Sequence, residues 1–137
     1  MIVLVDTSVW SLALRRQQEN LNSQQLRLRR ALEELVMEGR AQLMGVIRQE
    51  LLSGIRHQQQ FEKLRQTLRA FNDVVITTED HEEAASIANR CRAAGIAGNP
   101  VDFLISAVAT RRKWEIFTLD EDFRRYRKCI PLELFKA

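Results

Sequence analysis

Near its start the chain carries Ile2-Val3-Leu4-Val5, an apolar, β-branched run that does not alternate and that stops abruptly at Asp6-Thr7-Ser8. Successive side chains of a strand point to opposite faces, so a strand apolar at every position is buried on both. Burial on both faces is the mark of a parallel sheet covered by helices, and parallel strands need crossover connections. The rest of the chain offers them. Thr7 or Ser8 caps a helix through Leu14, and Arg15–Gln25 reads as a loop or a helix end. Leu28, Leu32, Leu35 and Val36 recur at helical spacing until Gly39, and Gln42–Met44 reads as a strand. A short helix follows from Val46 to Gly54, then an amphipathic one carrying Phe61, Leu64, Leu68 and Phe71. Asp73–Ile76 reads as a strand, and Thr78 opens a helix with an acidic first turn. Gly95–Gly98 is the one flexible loop. Asn99-Pro100 caps a helix to about Arg112, Glu115–Phe117 is a strand, Thr118–Phe123 an acidic turn, and a last strand lies near Ile130–Leu132. The expected fold is α/β, a three-layer α/β/α sandwich around a mostly parallel sheet, in one domain spanning 1–137.

Several classes are excluded. The longest apolar runs are too short to span a bilayer, and no secretory signal precedes them. Cys91 and Cys129 stand far apart without the spacing of a metal knuckle, which favours a reducing cytoplasm. Net charge is +3, but 17 of the 21 basic residues are arginine, whose planar fork suits phosphate.

The acids are more informative. Of six aspartates, four (Asp6, Asp102, Asp120 and Asp122) lie where an acid has no obvious structural purpose. Asp6 ends the first strand and Asp120 follows the strand at Glu115–Phe117. Both therefore point at the rim beyond the carboxyl ends of the strands, where parallel sheets bind ligands. Glu50 falls beside Val46, Ile47, Leu51 and Gly54, on what reads as the inner face of its helix. Each acid has a plainer reading: Asp6 as a helix cap, Asp102 as a complement to a helix dipole, Glu50 on the solvent side, Asp120-Glu121-Asp122 as a solvated turn. Together the acids point elsewhere. Hard oxygen ligands with no histidine or cysteine nearby select Mg²⁺ or Mn²⁺, and such ions bridge to phosphate oxygens, so the implied chemistry is hydrolysis of a phosphate ester.

Val5-Asp6-Thr7-Ser8-Val9-Trp10, Arg48-Gln49-Glu50-Leu51, Pro100-Val101-Asp102-Phe103-Leu104-Ile105-Ser106-Ala107 and Thr118-Leu119-Asp120-Glu121-Asp122-Phe123 together resemble the PIN domain, over Val3 to Leu134. The small size looks like the VapC-type toxins of toxin–antitoxin pairs. The resemblance implies a Mg²⁺- or Mn²⁺-dependent endoribonuclease. Asp6, Glu50 and Asp102 take the places of three core acids. Asp120 takes that of a fourth, and Asp122 is a further, outer metal ligand. Thr7 and Thr118 match positions whose hydroxyls support the acids by hydrogen bonding. Pro100, close before Asp102, departs from many relatives. A VapB-like antitoxin, a homodimer and a larger toxin–antitoxin assembly are implied as well.

RNA must still approach a negative pocket. Arg111-Arg112-Lys113 and Arg124-Arg125-Arg127-Lys128 bracket the acidic turn and are the expected phosphate-holding rim, although cations at a helix end would read the same way. Arg15-Arg16 and Arg27-Arg29-Arg30 are expected at the surface or in dimer contacts. Trp114 and Cys91 read as core, His57 and His81 as exposed, and Trp10 as either core or a base-stacking ring. A receiver-like domain would need an acidic neighbour for Asp6, and a haloacid-dehalogenase-like phosphatase an aspartate where Ser8 stands. An RNA-processing nuclease with no antitoxin and a non-catalytic interaction module stay open as alternatives.

Overall fold

Strand β1 (Val3–Val5) lies at the centre of the sheet in the computed structural model, which describes residues 1–137. Val3, Leu4 and Val5 are each 0% exposed although their side chains alternate, so both faces of the strand are covered. On one side β1 pairs in parallel with β2 (Ala41–Gln42), and on the other with β3 (Glu115–Phe117), giving the order β2-β1-β3. The crossover to β2 is α1 (Thr7–Leu14), a 3-10 turn at Gln18–Asn20 and α2 (Ser23–Met37). The crossover to β3 is α3 (Gly45–Leu52), α4 (Gln58–Leu68), α5 (Thr78–Ala93) and α6 (Pro100–Arg112), and α7 (Asp122–Tyr126) follows β3. Helix α1 packs on α2 and α3, α5 packs on α6, and α6 lies against β3. This is the mixed α/β architecture with a parallel sheet that the sequence implies. No helix is long and apolar enough to cross a membrane.

Local chemistry explains most boundaries. Asn22 and Gln25 form a reciprocal capping box that starts α2, and Gly39, at φ 69°, follows its end in the left-handed region that disfavours a side chain. Asn99 caps α6, with Pro100 at its first position.

Two expected strands are reduced to single bridges. Asp73 pairs with Leu43, and beyond it the ladder stops, with the Val75 carbonyl taken by Arg112 and the Thr77 N–H by Asp80. At the other edge pairing falls on Leu134 rather than on Ile130–Leu132. Pro131 has no N–H to give, and the Leu132 N–H turns back to the Ile130 carbonyl. The strand expected at Gln42–Met44 lies one residue earlier, and the second half of the acidic turn is the start of α7. Trp10 is core: it is 1% exposed, packs edge-on against Phe71 and donates its indole N–H to the Val5 carbonyl. Cys91 and Cys129, remote in sequence, bring their sulfurs within 2.8 Å as free thiols. Burial, and then the Cys129 thiol beside it, push Cys91 up to about 11.

Candidate active site

The ladder between β1 and β3 continues for one bond past β1, from the Asp6 N–H to the Phe117 carbonyl. That bond sets Asp6 beside Thr118. Asp6 occupies the N-cap position of α1 but makes no side-chain capping hydrogen bond; only the adjacent Thr7 N–H lies near its carboxylate. It accepts instead from Thr118 Oγ1 at 2.8 Å and Ser8 Oγ at 3.1 Å, both on Oδ2. The same two hydroxyls organise the following loop, Ser8 Oγ accepting from the Leu119 N–H and Thr118 Oγ1 from the Asp120 N–H. Side-chain hydroxyls, rather than a capping bond to the second or third N–H of α1, hold this carboxylate.

Asp102, in the first turn of α6, is held from two sides. Asn99 Nδ2 and the Tyr126 hydroxyl both donate to its Oδ2, at 3.0 and 2.9 Å. Glu50 is exposed rather than core-facing. Ile47 and Leu51 take the buried positions of α3, leaving Glu50 at the edge, where its Oε1 accepts from Thr7 Oγ1 at 3.0 Å. The cost of burying a glutamate therefore does not arise. Asp120 accepts the Asp122 N–H, and Asp122 is bound by Arg125.

Asp6, Glu50, Asp102 and Asp120 line one cavity of about 660 Å³, with Thr7 and Ser8 on its wall and no histidine or cysteine. Carboxylate oxygens of Asp102, Asp120 and Asp122 lie within 4.8 Å of one another. Oxygens this near one another are close enough to share a single hard dication. An all-oxygen donor set of this kind fits a hard dication. The electrostatics agree. Burial raises the proton affinity of Asp6 against the hydrogen bonds from Thr118 and Ser8, with the Asp120 charge adding to the rise. Asp102 is pushed up to about 6, chiefly by burial, with Tyr126 opposing and the charges of Asp6, Asp120 and Asp122 reinforcing it.

Of the cations expected at the rim, Arg124 and Arg127 line a cavity with Asp120; the first triplet is placed elsewhere. Arg111 and Arg112 stand at the far end of α6, about 15 Å along its axis from Asp102. Both are committed to Asp80, with contacts of 2.6 and 2.8 Å. Lys113 ends α6 in the left-handed region at φ 60°. Arg124 pairs with Glu121, and Arg125 with Asp122. Beside the acidic turn, then, these two guanidiniums already have carboxylate partners.

Three supports escaped the sequence reading. Ser8 and Asn99 read only as helix caps, although their spacings of two and three from the acids were visible. Tyr126, 24 residues from Asp102, left no signal in the sequence. Gly98 protects this last contact. A Cβ there would stand 2.5 Å from Phe103 Cζ and 2.8 Å from the Tyr126 oxygen. Gly98→Ala is expected to cost about 1–3 kcal/mol through overpacking and to disturb the Tyr126–Asp102 bond. Urea unfolding checks the first effect, and a carboxyl NMR titration of Asp102 in metal-free protein the second. Unchanged values in both would show that the loop yields freely.

Residues 3–128 match the family model of the PIN domain, and the chain belongs to that family. Solved structures agree on the fold. FitAcB from Neisseria gonorrhoeae superposes with a TM-score of 0.78 at 20% identity, covering 98% of this chain and 97% of that one. VapBC2 from Rickettsia felis, bound to a DNA fragment from its promoter, gives 0.71 at 16% identity, covering 100% and 99%. VapBC-5 from Mycobacterium tuberculosis, a member of the VapBC family of toxin–antitoxin systems, gives 0.68 at 17% identity, covering 100% of each chain. No curated protein sequence matches the chain.

Proposed function

We propose that the chain is a Mg²⁺- or Mn²⁺-dependent endoribonuclease and the toxin of a VapBC-type pair, acting in the cytoplasm as a homodimer and restrained by a VapB-like antitoxin. The observation that carries the reading is the convergence of four carboxylates, and no nitrogen or sulfur ligand, on one cavity in a PIN-family chain. The toxin assignment draws on solved structures of similar fold that are toxin–antitoxin proteins.

Asp6, Glu50, Asp102 and Asp120 would hold the ion, with Asp122 at the margin once Arg125 releases it. When bound, the ion supplies a more acidic water and Lewis-acid stabilisation of charge on the phosphate oxygens. The chain's own work is positioning. Thr118 and Ser8 fix the Asp6 carboxylate, Asn99 and Tyr126 fix that of Asp102, and Thr7 steadies Glu50. Such supports orient ligands and keep them ionised, and their loss costs about 10–100-fold in metal affinity or activity.

Incubating the purified chain with total RNA in Mg²⁺, in Mn²⁺ and in EDTA, and sequencing the new ends, tests the reading. Discrete cuts that need the metal are expected. Cutting that persists in EDTA, or intact RNA in both metals, would overturn it.

A further inference from the structure

A second cavity, of about 570 Å³, opens where the end of α1 meets the connection between α3 and α4. Arg15, Arg16, Arg56, His57 and Lys63 line it, and no carboxylate does. Arg15, Arg16, Arg56 and Lys63 are exposed and take part in none of the chain's ion pairs, which tie up Arg29, Arg40, Arg48, Arg65 and others elsewhere. Cations gathered around one concavity without a counter-charge repel one another, and folding gains nothing from the arrangement. A bound polyanion would relieve it.

The location connects this cavity to the acidic one. Ser11 lines the acidic cavity and Leu14 the basic one, three residues apart on α1, about 5 Å along the axis. Glu50 and Gly54 stand in the same relation along and just past α3. Both cavities thus follow the same pair of helices, and a strand lying along them would pass from carboxylates to guanidiniums within a few nucleotides.

We infer that the basic cavity binds the phosphodiester backbone of single-stranded RNA next to the scissile phosphate, an inference that rests on the endoribonuclease reading above. Arginine forks match phosphate oxygens in pairs, and backbone contacts of this kind set register without reading sequence. They also answer the problem of a polyanion nearing a ring of carboxylates, because neighbouring phosphates are attracted while one is presented to the acids. An acidic protein segment suits the cavity less well. Only three of its twelve lining residues are hydrophobic, which leaves little for the apolar anchors on which peptide affinity depends.

The test uses the whole chain and a fluorescein-labelled single-stranded RNA of about twelve nucleotides. In EDTA, which prevents cleavage, Arg15→Ala/Arg56→Ala/Lys63→Ala is expected to weaken binding roughly tenfold or more and to lower the slope of log affinity against log salt by about 2, three contacts at about 0.7 each. Arg15→Lys/Arg56→Lys keeps the charges and so the salt slope, losing only the paired contacts of the forks, and a parental salt slope there shows that the cavity is still folded. In Mg²⁺ the triple variant raises KM on the long RNA with kcat retained, and turns over a trinucleotide like the parent. Parental affinity and salt slope in the triple variant would overturn the inference. So would hexaglutamate binding the parent more tightly than the RNA and losing that affinity in the variant, since an acidic protein segment would then be the occupant. Because the binding arm needs no turnover, the two readings fail separately. RNA bound through these cations but never cut would sink the nuclease and leave the cavity, whereas RNA cut with no dependence on them would do the reverse.

Discussion

Asparagine in place of Asp6 or Asp102 is expected to lower metal-dependent RNA cleavage by more than about 100-fold, the upper end of what losing a mere supporting contact costs, while making the metal-free protein more stable at pH 8. The two effects have one cause. Both carboxyls are nearly out of solvent, 7% and 8% exposed, and both have raised proton affinity. An amide oxygen still accepts from Thr118 and Ser8 at Asp6, or from Asn99 and Tyr126 at Asp102, so these side-chain hydrogen bonds survive while the charge goes. For Asp102 the ordinary value of 3.8 is pushed up to about 6 in the fold. The folded state therefore holds this proton more tightly than the unfolded chain. In the parent, stability falls as pH rises from about 4 through about 6, and above that the charge costs roughly 1–3 kcal/mol. Asp102→Asn removes that slope. Adding Mn²⁺ reverses the order, because a ligand that binds only the folded parent stabilises it and leaves the variant behind. Thermal melts from pH 4 to 8, with and without Mn²⁺, read all of this together with the cleavage rate. A variant that cuts at the parental rate, or melts lower than the parent at pH 8 without metal, would show that these carboxyls are not a charged metal-binding pair.

Sequence alone carried the parts of the fold that depend on neighbours in the chain. Helix α6 and strand β3 have the expected limits, and at the start of α6 the reason is local punctuation, Asn99 and Pro100. Strand β1 needed only its own apolar run. The expected strand at Asp73–Ile76 dwindled for a reason that acts across space, the reach of Arg112 to the Val75 carbonyl, whereas at Ile130–Leu132 the break is local, beside Pro131. The convergence of Asp6 and Asp120 followed from strand polarity, since both lie just past the carboxyl ends of adjacent parallel strands. Glu50 could be assigned to α3 but not to its exposed edge, because one residue of helical phase separates the two. The arginines were the hardest to read. A basic triplet at a helix end looks the same whether it awaits phosphate or is already held by a buried acid. Only the packing of α5 on α6 shows that Arg111 and Arg112 serve Asp80, while Arg15, Arg16, Arg56 and Lys63 are among the cations left outside any ion pair and share one cavity.

That buried acid is where the largest loss of stability is expected. Asp80, 0% exposed, accepts from the Thr77 N–H, from Arg111 and twice from Arg112. In Asp80→Asn a single carbonyl oxygen must serve donors that two charged oxygens served, and the new NH₂ group faces other N–H groups. Two guanidiniums also lose their counter-charge. Breaking a buried pair from one side costs about 3–5 kcal/mol, and at this chain length that lowers the melting temperature by on the order of 10 °C. Arg112→Ala should follow closely. Arg112 grips both Asp80 oxygens, reaches the Val75 and Val108 carbonyls and lies 5.5 Å from the Trp114 ring, whereas the more exposed Arg111 adds one contact to Asp80. The sign of the pH dependence is opposite to that of Asp102. Hydrogen bonds from Arg112 hold the Asp80 carboxyl well below the usual carboxylate range, so its contribution is complete above about pH 4 and is lost as pH falls further, through the folded value. The gap between parent and Asp80→Asn should therefore be wide at pH 7 and narrow on acidification, in urea unfolding followed at several pH values. Asp80 sits at the end of α6 remote from Asp102, so the variant should still cut RNA at temperatures below its own melt. A gap that stays constant from pH 7 to pH 2 would mean that the lost stability came from the capping of α5 and not from the charge that joins α5 to α6.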